Sequence, residues 1–506
     1  MLDLLDGPPA LRPPFAHLLE ALQAFGRARW LSFANGGLDG SEALDAAARW
    51  AGAFHAAGIG HGDRVALVLP NGPDFVGAFF GTYFVGAIPV PLPWPIVAAP
   101  PERTLAGLAP QIAVAAVAAI VCPPAFAAAC PPGVRAITQA AERPLAREPA
   151  DLGPDDVAFL QFTSGTTGAP RAAALTHRAA TACAWAMADA LDLSSDDVGV
   201  SWLPLFHDMG LVGVLLCSLV RRFPVHISTP AEFLLHPAHW LATVAAARAT
   251  LTVAPNFGYE LALRRVRTTP DLSSLRHALN GSEPVQRTTI DRFEARFGIP
   301  GRIRPVYGLA ESTLGVCFAD SDAPDLVFGG RLVPSVGRPL AGTSVAVDPE
   351  GEILIRGPAL MSGYFRDPEA TRAAFRDGWL RTGDLGVLHG GQLYVTGREK
   401  ELVIKGGRKF HSGDIERVVE QTLDRPPGGV AALSLPNAAT GTEELIVLVE
   451  MLEPASPEIV RRIRGRLLEE LDVRADRIHR LEIGTLPRTT SGKLRRGACA
   501  ALAGEP

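Results

Sequence analysis

Thr163-Ser164-Gly165-Thr166-Thr167-Gly168 sets four hydroxyls and two glycines in six residues, directly after the apolar run Val157-Ala158-Phe159-Leu160. The apolar run reads as a buried strand. The six that follow cannot pack a core. A backbone that tight can aim N–H groups and hydroxyls at one anion, as phosphate-binding loops do. A surface turn of the same composition is the competing reading. The loop is not of the Walker A type, since no Gly-Lys-Ser/Thr closes it. Lys493 stands in Ser491-Gly492-Lys493, but Pro487 and Leu494 occupy the places where that motif needs glycine and a hydroxyl.

Four further segments are rich in chemistry and poor in packing value. Tyr307-Gly308-Leu309-Ala310-Glu311-Ser312 puts a carboxylate just after an aromatic-glycine turn. Trp379 to Leu385 places Asp384 where a strand is expected to end. Gly397-Arg398-Glu399-Lys400-Glu401 is charged and is followed by Gly406-Gly407. Pro487 to Lys493 presents a single lysine on a polar loop. Each alone is explained by a capped turn or a solvated charge, but together and in this order they point to one site.

The elements that must position them follow from periodicity. Val65 to Leu69 is strand-like, Pro70-Asn71-Gly72 breaks it, a helical stretch follows, and Ala87 to Pro91 is extended again. That βαβ pattern continues to about residue 310 and implies largely parallel sheets covered on both faces. From Ser335 to Val387 short strands and turns, such as 344–347 and 352–356, imply a β-rich subdomain. The expected fold is α/β: a large N-terminal domain over 1–399 with parallel-sheet subdomains and a β-rich part, then a small α+β domain over 400–506. In the latter, 430–435 and 445–451 read as strands. Ser456-Pro457 reads as an N-cap with proline at the first helical position, ahead of Ile459, Ile463, Leu467 and Leu471 at four-residue spacing.

The bulk numbers exclude several classes. With 506 residues, 47% apolar, 20% charged and a net charge near −5, the chain has the composition of a soluble globular protein with several subdomains. Nothing in that charge calls for nucleic acid or an anionic membrane. Residues 1–30 show no secretory leader, and the longest apolar run, Ile112 to Cys122, is too short to span a bilayer, so a cytoplasmic protein is expected. Six scattered cysteines without zinc-ligand spacing read as reduced structural thiols.

Together the motifs resemble the adenylate-forming superfamily of acyl-CoA synthetases, luciferases and nonribosomal adenylation domains, over essentially the whole chain from Arg64 to Arg496. The resemblance implies that a carboxylate is activated with ATP and Mg²⁺ to an acyl-adenylate, whose acyl group then passes to a thiol. It implies that Thr163, Ser164, Gly165, Thr166, Thr167 and Gly168 cradle the ATP phosphates, with Glu311 and Thr166 toward Mg²⁺. Gly281, Ser282, Glu283, Tyr307 and Gly308 would line the adenine pocket, and Asp384 and Arg398 would bind the ribose hydroxyls. Lys493 would be the adenylation lysine, Lys400 the hinge of a mobile C-terminal domain, and Gly407 part of the thiol path. The chemistry suits these types: an anionic nucleophile meeting an α-phosphate needs positive charge at the meeting point. The lysine and glycine usual after the loop's proline are here Arg171 and Ala172.

Ser201 to Gly213, Pro255 to Leu261 and Asn280 to Val285 look most like fatty acyl-AMP ligases, with His207 guarding the junction of acyl carboxylate and ATP. Read by itself, His207 is equally a core histidine satisfied by backbone. The insertion typical of that branch is missing, since Thr313–Val336 is too short for it. The expected acceptor is the phosphopantetheine thiol of an acyl carrier protein, with free CoA as the alternative and a catalytically silent adenylate-binding scaffold as the reading of another class. Arg461, Arg462, Arg464 and Arg466 either dock an acidic carrier or form a solvated helix face.

Overall fold

The Arg64–Leu67 strand, the Pro73–Phe84 helix and the Ile88–Pro91 strand form the expected βαβ unit, with the two strands parallel. Pro73 sits in the helix's first turn, where a missing N–H leaves no orphan bond. Phe75, Phe79, Phe80 and Tyr83 are then buried. The structure is a computed structural model describing residues 3–34, 36–96, 99–146, 148–163, 170–328, 331–405, 408–425, 428–437, 442–452, 456–488 and 494–503.

That unit belongs to a four-stranded parallel sheet completed by Ala119–Val121 and Arg135–Ile137. A second, nine-stranded sheet has a parallel centre of Ile303–Gly308, His277–Asn280, Leu251–Ala254, Gly199–Ser201, Val225–Ile227 and Arg29–Phe33. Antiparallel strands, among them Gly315–Phe318, close its edges. One large apolar core runs through both sheets and the helices between them. The parallel strands end together near Asn280 and Gly308, and crevices at such carboxyl ends are where open α/β sheets bind ligands.

Two expectations need correction. The strand alternation is interrupted, because Val157–Phe162 forms an antiparallel hairpin with Ala172–Thr176 and joins neither parallel sheet. The connection over 163–171 is too short for the helical crossover that parallel pairing demands. Asp384 does not end a strand either. Trp379–His389 runs past it, paired along Gln392–Arg398, with a register shift between Leu385 and Gly386. Gly383, at φ +69°, lets the chain kink and continue.

The β-rich part is a six-stranded antiparallel sheet that includes Ser344–Val347, Glu352–Arg356, Trp379–His389 and Gln392–Arg398. Beyond a single 3-10 turn at Glu399–Glu401 come the Leu402–Lys405/Arg408–His411 hairpin and a three-stranded sheet of Val430–Asn437, Thr442–Glu450 and Arg477–Leu481. Two apolar clusters there draw, among the described residues, only on positions from Val403 onward.

Ser456 caps the Pro457–Leu471 helix by accepting the Ile459 N–H at 3.2 Å, and Ile463 and Leu467 are fully buried. The arginines on its other face are partly spent inside the protein. Arg464 donates to the Ala475 and Asp476 carbonyls, and Arg466 pairs with Glu469 and Glu470. This favours the solvated, internally paired face over a four-arginine docking patch. All six cysteines are free thiols, five of them buried. Among the described residues no helix is long and apolar enough to cross a membrane.

The same C-terminal region holds a buried acid, Glu420 of the Ser412–Thr422 helix. Burial pushes its carboxyl up to about 8, Glu416 adds to the rise, and the Gly428 N–H it accepts opposes it. Unfolded, the group titrates near 4.5, so between there and about 8 the folded state keeps a proton that the unfolded chain has lost. Stability therefore declines as pH rises through that window. Glu420→Gln should remove a decline of about 1 kcal/mol per pH unit, read from chemical unfolding across that range. Parallel curves for the two proteins would refute it.

Candidate active site

Asp384 joins three elements. Its Oδ2 accepts the Tyr307 hydroxyl at 2.7 Å, its Oδ1 accepts Arg398 Nε at 2.6 Å, and its backbone N–H reaches Thr382 Oγ1 at 3.0 Å. Tyr307 comes from the nine-stranded sheet, Asp384 from the antiparallel one, and Arg398 from the strand that leads to the 3-10 turn. The carboxylate is buried, while the arginine side chain is 43% exposed. Burial, then the neighbouring Asp384 charge, pushes the Tyr307 hydroxyl well up, so it stays a donor. The Asp384 carboxylate raises Arg398 against its own desolvation.

Glu311 lies on a short 3-10 turn, Ala310–Ser312, one residue beyond the end of the Ile303–Gly308 strand. The expected aromatic-glycine turn is thus a strand end, and Gly308 is needed there because a Cβ would meet the Leu314 carbonyl at 1.7 Å. Thr313 follows at φ +64°, a strained value for a β-branched residue, and its hydroxyl donates to the Ala359 carbonyl at 2.6 Å. Glu311 Oε1 accepts the Tyr364 hydroxyl at 2.8 Å, and burial pushes the carboxyl above its usual range. Tyr364 arrives on the two-residue strand Gly363–Tyr364, which pairs with Ala173 and Ala174. The Arg171 guanidinium lies 5.4 Å from the Tyr364 ring centre and 4.0 Å from Asp367.

These groups surround one cavity of about 1130 Å³, to which Tyr307, Gly308, Glu311, Arg398 and Ser282 all contribute. Thr163, Pro170 and Arg171 also line it, and Thr163 N–H donates to the Arg171 carbonyl at 3.0 Å, closing the hairpin base. Ser164, Gly165, Thr166, Thr167 and Gly168 lie outside the described residues, as do Gly407 and Lys493; of Lys400 only the backbone, in the 3-10 turn, is described. Arg488 and Arg495 line the cavity, and Arg488 forms an antiparallel bridge with Leu494. His207 lines it too, with Nδ1 2.6 Å from Asp208 Oδ1 at the start of a π-helical stretch, Leu211–Leu216.

Two expected lining residues are elsewhere. Glu283 turns its carboxylate to the N–H of Phe257 and so caps the Asn256–Arg265 helix. Gly281 packs against the neighbouring strand, where a Cβ would lie 2.7 Å from the Val306 carbonyl. Of that trio only Ser282 reaches the cavity, held at φ +72°. Tyr364, Gln161, Arg366, Arg488 and Arg495 were not singled out from the sequence although all five line the cavity. Their local context is ordinary, and only strand pairing and domain placement bring them in.

The cavity has two characters. Around Thr382, Gly383, Arg398, Glu311 and the hairpin base it is polar, with Asp384 behind Tyr307 and Arg398 and not itself among the lining residues; between the nine-stranded sheet and the His177–Ala190 helix it is apolar. A buried carboxylate–tyrosine–arginine set can hold vicinal hydroxyls, cations and N–H groups can hold phosphates, and the apolar limb can hold a hydrocarbon.

The AMP-binding enzyme family model matches residues 20–365. The 4-hydroxyphenylalkanoate adenylyltransferase of Mycobacterium tuberculosis is 34% identical, the alignment covering 86% of this chain and 81% of that protein. The medium-chain-fatty-acid–acyl-carrier-protein ligase JamA of Moorena producens is 31% identical over 87% and 86%. Among solved structures, a fatty acyl-adenylate ligase from work on the E. coli and L. pneumophila enzymes superposes with a TM-score of 0.88 at 30% identity, over 98% of this chain and 99% of that one.

If Asp384 couples the two sheets, Tyr307→Phe and Asp384→Asn will not be additive. A hydrogen bond to a charged group contributes about 1.5–3 kcal/mol, so a coupling of about that size is expected in a double-mutant cycle read by chemical unfolding. Additive costs would mean that the bond carries no energy across the joint.

Proposed function

The chain belongs to the AMP-binding enzyme family, and on that premise we propose that it activates a fatty acid with ATP and hands the acyl group to the phosphopantetheine thiol of an acyl carrier protein. In the first step a carboxylate oxygen forms a bond to the α-phosphorus, the bond to the β-phosphate bridge breaks, and pyrophosphate leaves. In the second the thiol sulfur bonds to the acyl carbon and AMP departs. The observation that carries this reading is the continuity of the cavity: the polar end at Arg398 and Glu311 and the apolar limb line one and the same cavity. An acyl-adenylate has that same division of character.

The residue roles follow from their surroundings. Asp384, already braced by Tyr307 and Arg398, is suited to accept both ribose hydroxyls. Tyr307, lining the cavity beside Gly308, offers a ring face to the base. Thr166 and its neighbours, between Thr163 and Arg171 of the hairpin base, are proposed to meet the phosphates, and Arg171 to keep the cationic role usual for lysine. His207 stands where the acyl carboxylate meets ATP. The residues also fit Mg²⁺. Among the described residues no cluster of three or more His, Cys, Asp or Glu could hold a metal alone. Mg²⁺ in nucleotide sites, however, takes one or two carboxylates and fills its shell with phosphate oxygens and water. Glu311, whose ionised form burial disfavours, is the carboxylate that a cation would stabilise, with Thr166 as a hydroxyl partner. Bound there, the ion would neutralise phosphate charge.

Lys493, between cavity-lining Arg488 and Arg495, is the proposed bridge between carboxylate and α-phosphate, a compact charge on a flexible stem. Lys493→Ala should lower fatty-acid-dependent ATP–pyrophosphate exchange about 10²–10³-fold, the usual effect of deleting one preorganised electrostatic contact. It should leave thioester formation from preformed acyl-adenylate largely intact. Near-normal exchange would sink the assignment.

The region 400–506 is proposed to turn about Lys400 between half-reactions, withdrawing Lys493 and bringing Gly407 to the thiol's path. Lys400→Pro fixes φ near −65° and stiffens the turn. Acyl-AMP should then accumulate while transfer falls. A bulky side chain at Gly407 should likewise spare only the first step. Assays with holo carrier protein and with free CoA distinguish the acceptors. Efficient transfer to CoA alone would make the chain a fatty acyl-CoA synthetase, and the absence of any exchange with any fatty acid would leave an adenylate-binding scaffold.

A further inference from the structure

The apolar limb can be measured against the sheet it lies on. Leu251 pairs with His277, and Ala278 pairs with Ile303, so Leu251 is level with Arg302, six residues below Gly308. At about 3.3 Å per residue that depth is about 20 Å. An extended chain advances about 1.2 Å per bond, a third of the span of a three-bond residue. Once the reach of the Leu251 side chain is subtracted, about 12–14 carbons fit.

The walls carry little that could hydrogen-bond a polar tail. Beyond Gly308 the lining side chains on the sheet and the facing helix include Met187, Leu191, Cys217, Leu251, Val253 and Leu279. The neighbouring Arg304 is spent on the Ala319 carbonyl, Asp320 and His277. His277 buries an Nε2 without a hydrogen-bond partner, but it does not line the cavity. One wall is adjustable. The Met187 sulfur lies 2.7 Å from where a Cβ on Gly315 would stand, so the glycine makes room for a flexible thioether that can be pushed inward.

Resting on the function proposed above, we propose that the limb selects an unbranched fatty acid of about 12–14 carbons with an apolar end, Leu251 closing the floor and Met187 forming a movable side wall. This separates the chain from its relative whose name specifies 4-hydroxyphenylalkanoates. A phenol driven against Leu251 would lose its water without gaining a partner.

The test is ATP–pyrophosphate exchange, as kcat/KM, over saturated fatty acids of graded length and a 4-hydroxyphenyl-ended acid of matched length. Each added methylene should raise kcat/KM about fourfold, the equivalent of about 0.8 kcal/mol, until the floor is met, then lower it. The phenol-ended acid should fall at least tenfold below its alkyl match. Leu251→Ala should move the optimum up by about two carbons and Leu251→Phe down by about two, as the floor recedes or rises. Gly315→Ala, which drives Met187 into the limb, should also move it down. Thermal melts establish that each variant is folded, and the wild-type profile stands even if one variant is not. A phenol-ended acid as good as its alkyl match, or an optimum that ignores Leu251 and Gly315, overturns the proposal while leaving adenylation in place. Exchange with no fatty acid of any length would instead overturn the function on which it rests.

Discussion

The Asp384 carboxylate is the point at which the site is assembled. It binds a tyrosine from one sheet and an arginine from the strand that runs into the C-terminal region, while sitting in a second sheet itself. A buried carboxylate left alone would be expensive, and here two donors meet it before any ligand does. The arrangement therefore satisfies both carboxylate oxygens, and the Tyr307 bond ties the antiparallel sheet to the nine-stranded one. Because Arg398 lies one residue before the Glu399–Glu401 turn, the polar end of the cavity is tied directly to the segment about which the C-terminal region is proposed to turn.

A second chain of contacts runs from the hairpin to Glu311. Arg171 sits over the Tyr364 ring, and Tyr364 donates to Glu311. The residue in the position usual for a lysine is thus connected, through one aromatic ring, to the carboxylate proposed for Mg²⁺. A guanidinium spreads its charge over a plane and stacks on aromatics, which an ammonium does less well. That gives Arg171 a structural partner as well as a charge. Thr313, held in a strained conformation beside Glu311, fits the same picture of a turn constrained by its neighbours.

The stretch Thr313–Val336, expected from the sequence to be too short for an insertion, holds the Gly315–Phe318 strand and a small hairpin, Leu326–Phe328 with Arg331–Val333. The strand forms part of the apolar limb through Gly315 and Phe318. This stretch is therefore a tight return of the chain that contributes to the apolar end of the cavity. The relatives named for carrier-protein loading and for phenolic acids share the scaffold.

Local sequence determined the strands, the helix caps and the chemistry-bearing motifs, because their causes are local. Ser456-Pro457 starts a helix by satisfying and omitting N–H groups within one turn, and Arg64–Leu67 is a strand by its own apolar run. Tyr307, Glu311, Asp384 and Arg398 were legible as a set because their motifs follow one another in the order of the family they resemble. Which of them touch was not legible. Asp384 appeared to end a strand because nothing in Gly383-Asp384 announces that Gln392–Arg398 will pair beside it and carry the strand onward. Glu283 looked like a pocket residue because only the fold brings the free N–H of Phe257 to it. Gly281 is small for the sake of a neighbouring strand rather than a base. Tyr364 and the floor at Leu251 stayed invisible for the same reason: their positions depend on pairing between segments far apart in sequence, and that register is set only when the sheets close.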